Sequence, residues 1–281
     1  LVAYSEEVAM RGSPFFDDVT QSDVTIAGRR VKMPVFYYEG AAMQAVFVAR
    51  LGALRQLMPD PRFCPARLAP GLGAVAVTCF EYRDTDIGQY NELAISVVLN
   101  EPWFLPNLPG LALVSSLRRR QLHAWVHHLP VTTEIARAAG VDLYNYPKFI
   151  AGIDFQETVE RRVCRLSEGA EHVLTLSGER IATPRYEQLQ LFCHLWMDRQ
   201  PQGSEFKINA VEMGVSVRPG AASLSLGEHH PIARELAKLI AWSRPIQYQY
   251  MARFEGILYG PEHLSLARLA QPTAGVPAQP V

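Results

Sequence analysis

The stretch GLGAVAVTCFEYRDTDIGQYNELAISVVL, residues 71–99, decides the fold. Two short apolar runs, 71–82 and 92–99, flank the polar segment RDTDIGQYN, and this predicts two strands joined as a hairpin. Further along, DFQETVERRVCRL, EHVLTLSG, EFKINAVEMGVSV and ASLSLGE, all between 152 and 228, read as antiparallel strands separated by Gly and Ser turns. A last strand is expected near YMARFEGILYG. Helical spacing is confined to three places. AAMQAVFVARLGALRQLMP puts Phe47, Leu51, Leu54 and Met58 on one face, ended by Pro59 and Pro61. TTEIARAAG, 132–140, has a Thr cap, an early Glu and a terminal Gly. PIARELAKLIAW starts on Pro231 and aligns Ile232, Leu236, Leu239 and Ile240. Strands outnumber helices, so the expected class is α+β and mainly antiparallel: a sheet curled or closed around a pocket, with helices outside. One domain is expected over 1–265. The Pro-rich EPWFLPNLPG, 101–110, should break regular structure, and the Ala/Pro-rich tail, 266–281, should fray.

The chain has 281 residues, 48% of them hydrophobic, enough for a full core. A formal net charge of -1 provides no field to attract nucleic acid or an anionic membrane. The run Arg118–Arg120 reads as a solvated face. Cys64, Cys79, Cys164 and Cys193 are widely spaced without CxxC, which suggests neither a zinc site nor a disulfide framework. They read as small core residues in a reducing compartment. No apolar run reaches the roughly 20 residues of a membrane span, and the start LVAYSEEVAMRGSP has no signal-peptide organisation. A cytoplasmic protein without nucleic-acid or membrane partners is expected.

The chemistry centres on LYNYPKFIAG, 143–152. It holds one of only four lysines, in a chain that otherwise uses arginine for its positive charge. An ammonium has no lone pair with which to attack a carbonyl. Burial among groups such as Tyr144, Tyr146, Phe149 and Ile150 disfavours the charged form and can lower a lysine pKa by several units. Pro147 restricts Tyr146 to an extended conformation, so the backbone presenting Lys148 is stiff. The bland alternative is a lysine stem lying on apolar surface with its head in water. The hairpin also brings Glu81 and Glu92 toward one rim, as paired carboxylates or as solubilising charges. Sharing a face with Val75, Val77 and Cys79, Glu81 reads as the inward-facing one. Weaker signals are His123 and His127 in HAWVHH, four apart as a helix would need to hold a metal, though no third ligand follows. His229–His230 reads as capping or surface. There is no GxSxG, P-loop or Rossmann fingerprint.

These residues resemble the acetoacetate decarboxylase-like superfamily. YPK at 146–148 matches its Tyr-Pro-Lys segment, GQYNE at 88–92 its Gly-x-Tyr-x-Glu segment, and CFE at 79–81 the strand of its other active-site glutamate. GRR at 28–30 is similar to its Gly-Arg segment, with Arg29 or Arg30 in the arginine's place. The order is right, and the likeness covers roughly 10–260. It implies a β-barrel or cone with an internal cavity, a homo-oligomer, and a lysine that forms a Schiff base without any dissociable cofactor or metal. It also implies Lys148 as nucleophile, Glu92 and Glu81 as proton-handling groups, and Arg29 or Arg30, Tyr90, Tyr146 and Phe149 around the substrate.

One departure matters. The decarboxylases, themselves the standard example of a lysine activated by an adjacent cation, carry a second lysine where this chain has Phe149. Activation here would rest on burial, helped by Arg29 or Arg30. The first expectation is a lyase acting on a small keto acid, most simply by decarboxylating a β-keto acid such as acetoacetate. An aldolase–dehydratase working through a pyruvate enamine is the second, and a ligand-binding barrel without chemistry the third.

Overall fold

The computed structural model describes residues 12–61, 63–100, 109–197 and 200–261. Most of the Pro-rich segment and the whole C-terminal tail lie outside the described residues. After a 3-10 turn at Pro14–Phe16, the chain forms β1 (Ser22–Ile26), β2 (Arg29–Met33), β3 (Val35–Arg50) and α1 (Leu51–Gln56). Next come β4 (Leu72–Thr85), β5 (Tyr90–Val98), α2 (Leu111–Arg119), β6 (Gln121–His128) and α3 (Glu134–Tyr144). The second half contains β7 (Gly152–Glu157), β8 (Arg161–Glu168), β9 (Glu171–Glu179), β10 (Thr183–Met197) and β11 (Gln200–Ser216). It finishes with β12 (Ala222–Leu226), α4 (Pro231–Leu239) and β13 (Gln247–Leu258).

Seven strands close a barrel in the order β10-β11-β13-β3-β4-β5-β6. Every pairing is antiparallel except the closure, where β6 runs parallel to β10. A four-stranded sheet, β12-β9-β8-β7, lies against the outside of the barrel. One apolar layer joins the two. It is built from Met43, Phe47, Val75, Val77 and Ile95 on the barrel side and Cys164, Leu166 and Leu174 on the sheet side. β4 is therefore buried on both faces, one toward this layer and one toward the barrel interior.

That double burial explains the main departure from the sequence reading. Residues 41–50, expected as the first turns of a helix, are the last ten residues of the sixteen-residue strand β3; only Leu51–Gln56 is helical. A run apolar on every face has no alternation, and Phe47 matches the spacing of the helical Leu51 and Leu54 by coincidence. HAWVHH is likewise strand, so His123 and His127 do not stand one helical turn apart. β10, paired on both sides in the barrel, carries no clear strand signal in the sequence, because Thr183–Met197 mixes polar and apolar residues without regular alternation. The expected hairpin is present as β4 and β5, and His230 caps α4, accepting the Ile232 N–H at 3.3 Å.

On the outer face of the barrel His123 and His194 share a ring-nitrogen hydrogen bond of 3.0 Å, both buried. Burial holds their pKa values down, to about 4 and about 3. In the unfolded chain both rings take up protons below about 6.5. Their contribution to stability is therefore fully present above that pH and is lost as pH falls toward 4. Denaturant unfolding should give a clearly lower midpoint at pH 5 than at pH 7; a flat midpoint over that interval would contradict the assignment.

Candidate active site

Lys148 is placed by a chain of local interactions. Thr133 opens α3, its hydroxyl accepting the Ala136 N–H at 3.4 Å. The helix does not stop at Gly140, as the sequence suggested, but runs on to Tyr144 and ends at Asn145 in the left-handed region, φ 52°. The Asn145 and Tyr146 amides close the end by donating to Val141 and Gly140, both at 3.0 Å. Residues 147–151 then run beside residues 129–131. Leu129 donates to Pro147 at 3.3 Å, Val131 to Phe149 at 2.9 Å, and Ala151 to Val131 at 3.0 Å. The same short segment is bonded to β5, with the Leu93 N–H on the Pro130 carbonyl at 3.0 Å. Lys148 is thus laced to the strand that carries Glu92. Its stem crosses α3 at Gly140, where a Cβ would overlap the Lys148 Cδ and Cε.

The Lys148 Nζ lies 2.7 Å from Glu92 Oε2, the two side chains being 5% and 10% exposed. Tyr82 donates its hydroxyl to the other Glu92 oxygen at 3.3 Å. The ammonium also sits over the rings of Tyr90 and Tyr146, 5.6 and 5.9 Å from their centroids. Tyr90 and Tyr37 share a hydrogen bond of 3.0 Å, and Tyr146 bonds to Ser204. Burial, reinforced by the Glu92 charge, pushes the phenols of Tyr37, Tyr82 and Tyr90 well above their ordinary values, so they stay protonated. Burial raises the Cys193 thiol to about 12, which leaves it an uncharged part of the wall.

The pair opens onto a small cavity inside the barrel, of about 60 Å³. Even-numbered residues line it from β4, positions 76 to 82, and from β5, positions 92 to 98. Among the described lining residues, Lys148 and Glu92 are the only charged ones.

The expected site residues divide. Lys148, Glu92 and Tyr146 line the cavity, and Tyr90 adjoins it. Glu81 does not face inward. In the register Phe80 stands opposite Glu92 and Glu81 opposite Asn91, so Glu81 lies outside the barrel wall. There it meets Arg162 at 2.8 Å and Arg83 at 2.7 Å. Burial alone would raise its pKa, but these guanidinium groups outweigh that and hold it below the usual carboxylate range. Arg162, buried beneath the sheet, also contacts Glu157 at 2.5 Å. The apolar company of Glu81 misled the reading because Val75, Val77 and Cys79 belong to the layer between barrel and sheet. Arg29 and Arg30 are exposed on β2, Arg30 being 3.9 Å from Asp23, and neither lines the cavity. Phe149 points the opposite way from Lys148 and packs into the layer between barrel and sheet. Tyr37, Tyr82 and the Gln44–Thr78 pair were missed; Tyr82 could have been found as the residue two beyond Phe80 on the correct face.

Among the described residues, the one grouping of metal-ligand types is His127, His128 and Glu235. Glu235 Oε2 on α4 lies 3.0 Å from His127 Nε2 and 2.7 Å from His128 Nε2. A register shift opposite Ile95 and Ser96 lets two neighbouring residues of one strand reach the same carboxylate. None of the three lines the cavity, and His123, noted with His127 as a weak signal for its spacing, is not among them.

A closed barrel with a lysine–glutamate pair set in the wall of an apolar internal cavity defines the structural class. The pattern of the Acetoacetate decarboxylase (ADC) family matches residues 27–247, and the chain belongs to that family. No curated protein matches it in sequence. Among solved structures, an acetoacetate decarboxylase is 16% identical with a TM-score of 0.52, covering 81% of this chain and 87% of that one. Acetoacetate decarboxylase from Legionella pneumophila is 13% identical with a TM-score of 0.54, covering 81% and 86%. The enduracididine biosynthesis enzyme MppR, solved with pyruvate, is 14% identical with a TM-score of 0.54, covering 88% and 93%. At such identities the likeness is one of fold. Among the described residues no helix is long and apolar enough to cross a membrane.

Because the lysine stem occupies the space over Gly140, Gly140→Ala should dislodge it. The expected result is loss of reaction at Lys148 toward carbonyl reagents, with stability lowered by about 1–3 kcal/mol. Unchanged labelling of Lys148, followed by peptide mass spectrometry, would contradict this placement.

Proposed function

We propose that the protein is a carbon–carbon lyase that decarboxylates a β-keto acid through an imine on Lys148. The observation that carries this reading is the 2.7 Å contact between the Lys148 nitrogen and the Glu92 carboxylate inside the cavity. Glu92 is placed to take the ammonium proton, freeing a lone pair on Nζ. That lone pair adds to the ketone carbon, water leaves, and a protonated imine forms. The electrons of the bond to the carboxylate then flow to the iminium nitrogen, and CO₂ departs. The enamine takes up one proton at carbon, drawn from solvent and delivered through Glu92. Water then hydrolyses the iminium, releasing the ketone and restoring the amine. In this reading Arg29, Arg30, Glu81 and Phe149 take no direct part.

The charge inventory favours decarboxylation. A substrate carboxylate entering this cavity meets apolar wall and the Glu92 anion, with no permanent cation beside it except the nitrogen that becomes the imine. Loss of CO₂ removes that unfavourably placed anion, so the ground state is raised relative to the charge-dispersed transition state. A second reading, an aldolase–dehydratase using pyruvate, draws on the fold shared with MppR, solved with pyruvate, and on Phe149 in place of a second lysine. That route must keep its carboxylate through the reaction, which this lining supports less well.

Borohydride reduction in the presence of acetoacetate or of pyruvate, followed by peptide mass spectrometry, separates the readings. Decarboxylation predicts an adduct on Lys148 whose mass lacks CO₂, absent in Lys148→Ala. An adduct with pyruvate alone would favour the aldolase, and no adduct with any carbonyl compound would leave a binding barrel. Glu92→Gln should fold and slow adduct formation by about 10²–10⁴-fold.

A further inference from the structure

Away from the lyase cavity, the end of β6 carries a feature that the proposed reaction does not use. Leu122, Ala124 and Val126 line the cavity, so strict alternation would turn His128 inward as well and leave His127 alone outside. The pairing with β5 breaks that alternation. Val126 stands opposite Ser96 and His128 opposite Ile95, which leaves His127 as an extra residue in β6. Both imidazoles then reach Glu235 on α4, their Nε2 atoms lying 3.0 and 2.7 Å from the same carboxylate oxygen. A hydrogen bond from a single histidine would need no such irregularity. The ligand atoms of all three side chains lie within 4.8 Å of one another. Around a tetrahedral ion with bonds of about 2.0–2.1 Å, such atoms stand about 3.4 Å apart, so each needs to move by less than about 1 Å.

We propose that His127, His128 and Glu235 form a binding site for a divalent transition-metal ion, zinc foremost, which clamps α4 to the barrel strand β6. Two imidazole nitrogens and one carboxylate oxygen make a donor set that suits zinc, whereas magnesium and calcium favour oxygen throughout. An imidazole of ordinary pKa is largely neutral at pH 7 and offers its lone pair, and the carboxylate supplies negative charge. The side chains of His127, His128 and Glu235 are 19%, 22% and 36% exposed, so an ion can enter and a water molecule can take its fourth position. Arg234 and Lys238, on the same helix, are exposed and hold their charges in water. The histidines lie 108 and 107 positions before Glu235 in the chain, so only the folded protein assembles all three ligands. Binding must therefore stabilise the fold. The ion would stand apart from Lys148, since none of its ligands lines the cavity.

The test uses the full chain without an affinity tag, stripped with a chelator and titrated with zinc chloride by calorimetry. A parallel titration with cobalt(II) reads the visible absorption of a four-coordinate nitrogen–oxygen site. One equivalent of either ion should bind saturably. Zinc at about a hundred times its dissociation constant should raise the folded-to-unfolded ratio about a hundredfold, seen as a higher thermal midpoint. Glu235→Gln and His128→Ala should each weaken binding by at least about tenfold to a hundredfold and abolish the zinc-dependent rise in midpoint. His127→Gln replaces either variant that fails to fold by circular dichroism. Absence of saturable binding to the wild-type protein would overturn the site. Zinc bound as tightly by folded Glu235→Gln and His128→Ala as by the wild type would place the ion elsewhere, at Cys64 for example, and overturn the assignment equally. One equivalent bound without any rise in midpoint would overturn the clamp.

Discussion

The contact between Lys148 and Glu92 organises this protein. Two opposite charges held out of water lose hydration that their mutual attraction only partly restores, so a buried pair of this kind is weak evidence for stability and stronger evidence for a task. The surroundings are arranged to tolerate it. Tyr82 donates to the carboxylate, the rings of Tyr90 and Tyr146 face the nitrogen, and Gly140 leaves room for the stem. The segment that carries the lysine is tied to β5 through residues 129–131, so nucleophile and carboxylate share one rigid support.

Around this pair the barrel must do two opposed things: close tightly enough to exclude water, and leave an interior that is not filled. The first is met by burying its wall on both sides, with the four-stranded sheet covering β3, β4 and β5 from outside. The second is met only in part, by Ala76, Ala94 and Ala124 at inward positions among larger side chains. A second network, Glu81 with Arg83 and Arg162, and Arg162 with Glu157, lies in and beneath that covering sheet. It uses carboxylates for anchoring, whereas Glu92 on the neighbouring strand is reserved for the cavity. The two glutamates of one hairpin thus have different surroundings because they fall on opposite faces of a pleated wall.

Much of this was legible in the residues. The hairpin at 71–99, the strands after 152 and the helix opened by Pro231 follow from alternation, turn residues and caps, which act within a few neighbours. Lys148, Tyr146 and Glu92 were found through short motifs, and the structure brings all three to one cavity. What could not be read was direction. Val75, Val77 and Cys79 suggested that Glu81 faced inward, but an apolar neighbour marks a buried face without saying which of two buried faces it is. Phe149 follows the lysine and was therefore placed with the substrate, yet extended backbone sends it the other way.

The sequence by itself determined the strand-rich class, the lysine set stiffly behind a proline, and the carboxylates available to it, because these depend on propensities and patterns local to the chain. Tertiary structure alone decided that residues 41–50 are strand, that β6 closes the barrel against β10, that Glu92 rather than Glu81 meets the lysine, and that Arg29 and Arg30 remain at the surface. Each of those outcomes turns on strand register and on a second layer of sheet, and both are set by contacts between residues far apart in sequence.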